Sequence, residues 1–342
     1  MTKKLPLSFA CGAYDRMDAL AKGEIQPAGI DLNYIAIENP REIFDRMIPS
    51  LEFDAAEMSA SEYICRYADG ERDLIAIPVF PSRTFRHNCI AINTDLVRTP
   101  ADLNGKRIGV QKYTMTAAVW IRGLLQDLGV DLSTITWVEG AFEKSGPHGK
   151  GTAKPLLRPV NLVPNTSPKS LSQCLQDGDV AATIGAEVPA CLGTASHVRP
   201  LFPDLRAATT QYFRQSGIFP IMHLVVVQKA LVDRFPFVPT ALFHALRDAK
   251  DLALRRMKYS GSQRYMLPFL PADLAEIEDL FGGDPWPYGV EANRKPLAAL
   301  VSYLYEQAMI REKVPVEQLF ATIHGGNDLE GPDKSKMSVG ME

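Results

Sequence analysis

Strand-like and helix-like segments alternate along the chain, and this alternation constrains the fold more than any other feature of the sequence. Runs typical of strands precede segments with a helical apolar face at 5–11 and 17–22, 30–37 and 40–48, and 53–58 and 59–68. Units of this kind place successive strands side by side, and helices cover both faces of the sheet. The sequence therefore predicts an α/β fold with mainly parallel sheets.

The same alternation continues in the rest of the chain. Further strands are predicted from 107 and at 135–138, 180–184 and 217–227, and further helices at 114–128, 171–175, 240–258 and 294–306. Residues 140–170 are rich in Gly, Pro and Lys and predict a long loop or hairpin insert, and the polar tail from Gly325 is expected to be loosely held. A chain of 342 residues is too long for one ordinary core, so two domains or lobes are expected.

Charge and hydropathy exclude several classes of partner. The formal net charge of −3 provides no broad basic field, so nucleic acid is not an expected partner. No stretch approaches the roughly 20 consecutive apolar residues that span a bilayer, so a membrane is not an expected partner either. The oligomeric state is left open, with a homo-oligomer among the alternatives.

The cysteines and the N-terminus favour a cytoplasmic protein. The cysteine count is odd, 5, and no pair has C-x-x-C spacing, which argues against a disulfide framework and a thiolate zinc site. Lys3 and Lys4 precede the apolar run L-P-L-S-F-A-C, but this run is about half as long as a signal h-region and contains Pro6. We interpret the run as the first core strand.

A polar block between two apolar runs is the strongest functional signal. Residues 75–93 read I-A-I-P-V-F-P-S-R-T-F-R-H-N-C-I-A-I-N, with Arg83, Arg86 and His87 between two strand-like runs. Such groups are costly to bury in a strand, so the block is expected in a loop at a strand end, where α/β proteins bind ligands. Fixed positive charge beside a titratable ring suits an anionic substrate that gains or loses a proton. It also suits a passive carboxylate-binding site.

Several separated motifs resemble those of one enzyme family. The run D-L-N-G-K-R-I-G-V at 102–110 resembles the opening of the second lobe in type II periplasmic-binding-protein folds. A closer resemblance, to the 4,5-dihydroxyphthalate decarboxylases, rests on A-C-G-x-Y-D-R at 10–16, F-D-A-A-E-M-S at 53–59, P-V-F-P-S-R-x-F-R-H at 78–87, M-T-A-A-V-W-I-R-G at 115–123, G-I-F-P-I-M-H at 217–223 and W-P-Y-G-x-E-x-N-R at 286–294. The resemblance covers most of residues 5–310.

The resemblance implies a fold and a domain division. The implied fold is the two-lobed type II periplasmic-binding-protein-like architecture, with crossing strands between the lobes and the ligand in the cleft. Lobe one would comprise residues 1–97 and 222–342, and lobe two residues 98–221 with the 140–170 insert.

The resemblance also implies a reaction, the loss of CO₂ from a dihydroxylated aromatic dicarboxylate. In the family, 4,5-dihydroxyphthalate gives protocatechuate. A bare aryl carbanion is very basic, so the route requires ionisation of the hydroxyl para to the departing group and protonation of the ring carbon. The site needs a base, an acid and cations for two carboxylates. No organic cofactor is required in principle.

Three residues are candidates for the proton transfers. His87 is the first, because histidine titrates near neutral pH and His87 lies in the polar block. His223 is the second, at the start of the apolar run L-V-V-V. Glu57 is a candidate base, metal ligand or residue that orients His87. The alternatives are a bond from His87 to a strand-end carbonyl and a satisfied core position for His223.

Arginine and hydroxyl side chains are candidates to bind the substrate. Arg83 and Arg86 can each hold a carboxylate through paired N–H groups, or one of them can hold a structural carboxylate such as Glu57. Other candidates follow the first strand or lie at the start of the helix that opens lobe two, and they are Tyr14, Arg16, Thr114, Thr116 and Arg122. For Arg122, a solvated helix face is the alternative.

The sequence does not predict a metal site. His87, His223 and Glu57 could form a site of two histidines and one carboxylate. They lie far apart in the sequence, and neither H-x-H nor H-E-x-x-H occurs.

Two other functions remain open at this stage. One is a solute-binding receptor for an aromatic or aliphatic carboxylate, which the same fold would serve, since fold alone does not decide function. The other is an enzyme on the same scaffold that acts on a related hydroxylated acid.

Overall fold

Two mixed β-sheets organise the computed structural model, which describes residues 3–148 and 156–325. The strands are β1 Leu5–Cys11, β2 Ile30–Ala36, β3 Ala55–Ser59, β4 Leu74–Arg83, β5 Ile90–Asn93, β6 Arg107–Val110, β7 Thr136–Glu139, β8 Leu162–Pro164, β9 Ala182–Ile184, β10 Val198–Pro200 and β11 Ile221–Gln228. The helices are α1 Asp18–Ala21, α2 Pro40–Ser50, α3 Ala60–Ala68, α4 Thr116–Asp127, α5 Leu171–Gln176, α6 Leu205–Ser216, α7 Lys229–Arg234, α8 Val238–Lys258, α9 Leu270–Phe281 and α10 Arg294–Glu306.

The first sheet has the order β2-β1-β3-β11-β4. Strands β1, β2 and β3 are parallel, and β11 returns late in the chain to pair antiparallel with both β3 and β4. Every residue of β3 is buried, as expected for a central strand covered on both faces. Its sequence A-A-E-M-S nevertheless contains Glu57, so this position requires partners for a buried carboxylate.

The second sheet has the order β10-β5-β9-β6-β7-β8, with parallel pairing from β9 to β8 and antiparallel pairing at β10 and β5. The chain joins this sheet at Ile90 and returns to the first sheet at Ile221. The predicted lobe limits at residues 97 and 222 stay a proposal, although the strand at Ile90–Asn93 belongs to the second sheet.

The predicted α/β class with mainly parallel sheets is confirmed. The 140–170 segment is more than a loop or hairpin, because Leu162–Pro164 pairs parallel with β7. A hairpin would have given an antiparallel pair. Residues 149–155 of that segment, and the predicted polar tail beyond Gly325, lie outside the described residues.

Helix α4 lies between the two sheets. Trp120 belongs to the apolar core around the first sheet and donates its indole N–H to the Ile221 carbonyl of β11 at 2.8 Å. Ile121 and Leu125 of the same helix pack into the core of the second sheet. The N-terminus of α4 is therefore held where the two sheets meet. Within residues 3–148 and 156–325, no helix combines the length and apolar character that crossing a bilayer requires.

Candidate active site

A cavity of about 340 Å³ lies between the two sheets, within the size range of small-molecule sites. Its walls contain charged, hydroxyl and apolar side chains from both sheets. Residues that matter for the chemistry are Tyr14, Arg41, Ser59, Arg86, Lys112, Thr114, Thr116, His148, Glu187 and His223. This composition, with more cations than carboxylates, suits a negatively charged ligand of modest size.

A carboxylate–histidine pair forms the chemical centre of one wall. The His223 Nδ1 atom lies 2.5 Å from Glu57 Oε1, and the imidazole lines the cavity. Glu57 is fully buried, whereas the His223 side chain keeps 17% exposure. Because an ionised carboxylate only accepts hydrogen bonds, Nδ1 carries the proton. Nε2 is therefore the nitrogen available to a ligand.

Four donors satisfy the buried Glu57 carboxylate. Besides His223, Oε1 accepts from the Tyr14 hydroxyl at 2.8 Å, and Oε2 accepts from the Gly12 N–H at 3.0 Å and the Cys11 thiol at 3.4 Å. Burial by itself would raise the pKa of Glu57. The charge and hydrogen bond of His223, with the Gly12 and Tyr14 bonds, outweigh burial and hold the pKa of Glu57 below its ordinary value. Glu57 is therefore an anion at neutral pH.

Strand register brings this pair together. His223 of β11 lies opposite Ser59 of β3, and Val225 lies opposite Glu57, so Glu57 and His223 are diagonal neighbours on one face. The register between β11 and β4 shifts on both sides of His223. Such irregularities often redirect a side chain next to an active site. Phe44 supports the ring through an edge contact at 5.2 Å.

The turn after β1 supplies two of the Glu57 donors. Its backbone folds so that the Tyr14 ring lies against Gly12, where an added Cβ would come within 2.7 Å of Tyr14 Cζ. A side chain at Gly12 would push Tyr14 away from Glu57. The sequence A-C-G-x-Y at this strand end thus has a direct physical purpose, which is to surround a carboxylate.

The opposite wall presents positive charge. Arg86 donates to the Ala186 carbonyl at 2.8 Å and contacts Met222 Sδ at 3.2 Å, and it forms no ion pair with a carboxylate of the described ranges. Lys112, two residues after β6, likewise has no ion-pair partner in the described part of the chain. Arg41, in contrast, pairs with Asp45 and Glu62. Arg86 and Lys112 therefore have charge available for a ligand.

The start of α4 completes that wall. Thr114, Met115 and Thr116 line the cavity, and no side chain caps the helix. The first N–H groups of a helix attract anions. The Thr116 hydroxyl lies 3.0 Å from Ser59 Oγ and 2.8 Å from Ser61 Oγ, which ties α4 to the beginning of α3.

His87 lies outside the cavity, contrary to its expected role. It is 3% exposed, and its ring packs against Phe85, Phe202 and Tyr212. Nδ1 has no partner among the described residues, and burial lowers the pKa of His87 to about 4. The ring packs in an aromatic pocket and does not line the cavity. The structure thus separates His87 from the Glu57–His223 pair.

Three of the predicted arginines bind protein groups. Arg16 lies between the Tyr14 and Trp286 rings and donates to the Pro81 carbonyl at 2.6 Å. The cation–π contact between Arg16 and Tyr14 orients the Tyr14 ring. Arg16 does not line the cavity.

Arg83 and Arg122 are buried and point to backbone or amide oxygens. Arg83 donates to the Phe219 carbonyl at 3.0 Å, and burial lowers its pKa to about 10. Arg122, expected on a solvated face or in the site, is fully buried and donates to Gln307 Oε1 and the Tyr113 carbonyl, each at 2.8 Å. Both donate to protein oxygens and do not line the cavity, although Arg83 Nε and Arg122 Nη1 have no hydrogen-bond partner among the described residues.

Sequence reasoning missed six Arg, Lys, His or Glu side chains that line the cavity: Arg41, Glu62, Arg66, Lys112, His148 and Glu187. Lys112 and Glu187 follow the neighbouring parallel strands β6 and β9. The rule that ligands bind at the carboxyl ends of parallel strands would have identified both. Burial lowers the pKa of His148, although the nearby Glu187 opposes this shift.

The structure can be compared with the two-histidine, one-carboxylate metal site considered from the sequence. Across residues 3–148 and 156–325, no three His, Cys, Asp or Glu side chains group in a way that could hold a metal ion. The expected absence of a metal stays a prediction.

Two characterised proteins are similar to this chain over much of its length. A 4,5-dihydroxyphthalate decarboxylase from Comamonas testosteroni is 35% identical over 320 residues, which are 93% of this chain and 96% of that protein. A 4,5-dihydroxyphthalate decarboxylase from Pseudomonas putida is 39% identical over 217 residues, 62% of this chain and 82% of that protein. No protein-family model matches the chain.

Solved structures with a similar fold are binding proteins. The periplasmic aliphatic sulphonate binding protein of Escherichia coli superposes with a TM-score of 0.51 at 13% identity, covering 93% of this chain and 97% of that chain. The alkanesulfonate-binding protein of Xanthomonas axonopodis pv. citri, bound to MOPS, gives a TM-score of 0.50 at 15% identity, covering 94% and 99%. At these identities the similarity shows the fold alone.

We expect the free energy of unfolding of His87→Phe to depend less on pH below about pH 6.5 than that of wild type. The unfolded chain takes up a proton at His87 near the ordinary pKa of 6.5, whereas the folded chain resists it down to about 4. The unfolded state therefore binds more protons in this range, and wild-type stability falls as the pH drops from 6.5 towards 4. Between pH 7 and pH 4.5, the free energy of unfolding of the variant should fall by about 2 kcal/mol less than that of wild type. Urea unfolding at each pH measures it.

The control for this variant is Asn88→Ala, which changes an exposed neighbour without a titrating group and should keep the wild-type slope. A His87→Phe profile as steep as that of wild type would show that the imidazole is not held neutral by its aromatic pocket.

Proposed function

This chain belongs to the 4,5-dihydroxyphthalate decarboxylase family, and we propose that it converts 4,5-dihydroxyphthalate to protocatechuate and CO₂ without an oxidant. The observation that supports this reaction most strongly is the Glu57–His223 pair facing a cavity that also contains Arg86 and Lys112. The reaction requires a base, a proton donor and cations for carboxylates, and this cavity supplies the proton donor and the cations.

The chemistry proceeds through protonation of the ring. Ionisation of the hydroxyl para to the departing carboxylate moves electron density onto the carbon that bears this carboxylate. That carbon accepts a proton and becomes tetrahedral, and the ring becomes a dienone. The carbon–carboxylate bond then breaks, CO₂ leaves, and its electron pair restores the aromatic ring. The hydroxyl gives its proton to water on ionisation, and the phenolate regains a proton after CO₂ leaves. One proton is therefore consumed overall, and it remains as the new C–H bond.

We assign the proton delivery to His223 instead of His87. His223 Nδ1 is held by Glu57, so Nε2 is directed to the ligand side of the ring. The negative charge of Glu57 stabilises the imidazolium that carries the transferred proton, as a buried aspartate does in a hydrolase triad. Tyr14 and Gly12 donate to Glu57 and keep it in place, so they position the pair.

Arg86 and the N-terminus of α4 are assigned to the carboxylate that remains on the ring. Arg86 has charge available, and the α4 N–H groups and the Thr114 and Thr116 side chains lie at the same cavity. Arg41 and Lys112 add positive charge around a substrate with two negative groups. Holding the retained carboxylate firmly fixes the ring while the other carboxylate departs.

A cytoplasmic location is also part of the proposal. The five cysteines, Cys11, Cys65, Cys89, Cys174 and Cys191, are all buried free thiols, as is usual in a reducing compartment. The lobe limits remain an expectation from the sequence, and the oligomeric state stays open, with a homo-oligomer among the alternatives.

The direct test is turnover in D₂O. Purified protein with 4,5-dihydroxyphthalate should release CO₂ and form protocatechuate with one deuterium, ortho to the retained carboxylate, where CO₂ left. Mass spectrometry and proton NMR detect the label. Tight calorimetric binding of unchanged substrate without CO₂ would favour a solute receptor, and turnover of only other hydroxylated acids would favour a different enzyme of this scaffold.

His223→Asn should lower kcat by about 10²- to 10⁴-fold with a small change in KM, because asparagine can still donate to Glu57 but has no proton to transfer to the ring. Steady-state CO₂ release measures both constants. His197→Asn changes a histidine outside the cavity and serves as the matched control. A kcat within threefold of wild type would remove His223 from the chemical step.

Arg86→Gln should raise KM by about 10- to 100-fold and change kcat less, because it removes a charge-assisted hydrogen bond to a carboxylate that is present before and after CO₂ leaves. Arg311→Gln, an exposed arginine outside the cavity, removes the same charge and should leave KM unchanged. A fall in kcat at constant KM would instead place Arg86 at the departing carboxylate.

A further inference from the structure

A carboxylate at the rim of the cavity is unexplained by the binding of a diacid. Glu187 lines the cavity and follows β9, at the carboxyl end of the second sheet. Glu187 is exposed at this rim, and its charge repels the substrate carboxylates, so it weakens the binding of a diacid unless the ligand offers it hydrogen-bond donors.

The protein holds Glu187 in place through a buried amide. Gln111, 1% exposed, donates from Nε2 to Glu187 Oε2 at 2.8 Å, and its Oε1 accepts the Ala186 N–H at 2.8 Å. This interaction requires close approach, because a Cβ on Gly185 would lie 2.3 Å from Gln111 Oε1. Gly185 thus makes room for the amide that orients the carboxylate.

The surroundings leave the Glu187 charge without a cation. Within residues 3–148 and 156–325, no Lys or Arg forms an ion pair with Glu187, and Gln111 is its side-chain donor. Glu62, the other carboxylate that lines the cavity, pairs with Arg41 and Arg66. Of these two carboxylates, Glu187 is the one with acceptor capacity left for a ligand.

We propose that Glu187, positioned by Gln111, accepts hydrogen bonds from the phenolic hydroxyls of the substrate and thereby selects hydroxylated diacids over plain ones. This inference rests on the proposed function. Two adjacent hydroxyls match the two oxygens of a carboxylate, and hydrogen bonds to an ionised acceptor are strong. The same bonds draw the phenolic proton away from oxygen, which raises electron density on the para carbon where His223 delivers its proton.

A diacid without hydroxyls should therefore be rejected. Phthalate carries the same two carboxylates but would leave Glu187 unpaired against negative charge. A site that is built to bind a hydroxyl discriminates strongly against the analogue that lacks it, because its polar groups then stay unsatisfied. Discrimination is thus the property that separates this role of Glu187 from a purely structural one.

The test compares two ligands in wild type and Glu187→Gln. KM for 4,5-dihydroxyphthalate and the inhibition constant for phthalate are measured in the CO₂ assay. We expect the ratio of the phthalate constant to the dihydroxyphthalate constant to fall at least tenfold in the variant. Phthalate should bind equally well or more tightly, because the repulsion is gone. An unchanged ratio, or equal weakening of both ligands, would overturn the proposal.

Two further variants sharpen the result. Glu312→Gln removes the same charge at an exposed position outside the cavity and should leave the ratio unchanged. Glu187→Asp keeps the acceptor and should retain part of the discrimination. Circular dichroism melting of each variant shows whether the fold is intact.

The experiment distinguishes failure of this inference from failure of the proposed function. If wild type releases CO₂ but Glu187→Gln keeps the ratio, only the inference fails. If wild type releases no CO₂, the reaction fails, and calorimetric dissociation constants for the same two ligands give the ratio instead. Absence of binding by either ligand would overturn both.

Discussion

The contact between a fully buried carboxylate and an imidazole, Glu57 with His223, is the interaction on which the site depends. An ionised carboxylate inside a sheet is costly unless donors surround it. The β1 turn provides two of these donors, Tyr14 and Gly12, and β11 provides the histidine. The part of the first sheet around the cavity keeps the Glu57 carboxylate away from water and leaves His223 Nε2 accessible to a ligand.

The two walls of the cavity divide the chemical tasks. The first sheet contributes the proton-transfer pair, which is rigid because it is built on central strands. The ends of strands in the second sheet contribute Lys112 and Glu187, the start of α4 contributes N–H groups, and the segment between β4 and β5 contributes Arg86. Parallel strands end together, so groups from separate parts of the chain converge at one edge. The binding-protein-like fold thereby accommodates chemistry that the fold itself does not specify.

Several residues that the sequence suggests as catalytic or substrate-binding do not line the cavity and instead hold its walls in place. Arg16 holds Tyr14 against Trp286, and Arg83 holds the Phe219 carbonyl of the segment that returns to β11. His87 fills an aromatic pocket. Arg83 and His87 share one polar block with Arg86 in the sequence. Residue type and spacing do not reveal which of these side chains faces the cleft. That direction depends on how β4 ends at Arg83.

The sequence by itself determined the α/β class, the boundaries of strongly patterned elements such as Leu5–Cys11 and Arg294–Glu306, and, through its motifs, the family. It did so because strand and helix periods and strand-end motifs are local properties. Other elements, among them the helices Leu205–Ser216 and Leu270–Phe281 and the parallel strand Leu162–Pro164, were not predicted. Only the tertiary structure decided that His223 instead of His87 pairs with Glu57. The antiparallel register of β11 against β3 sets that pairing across 166 positions of sequence, and local pattern carries no information about contacts of such range.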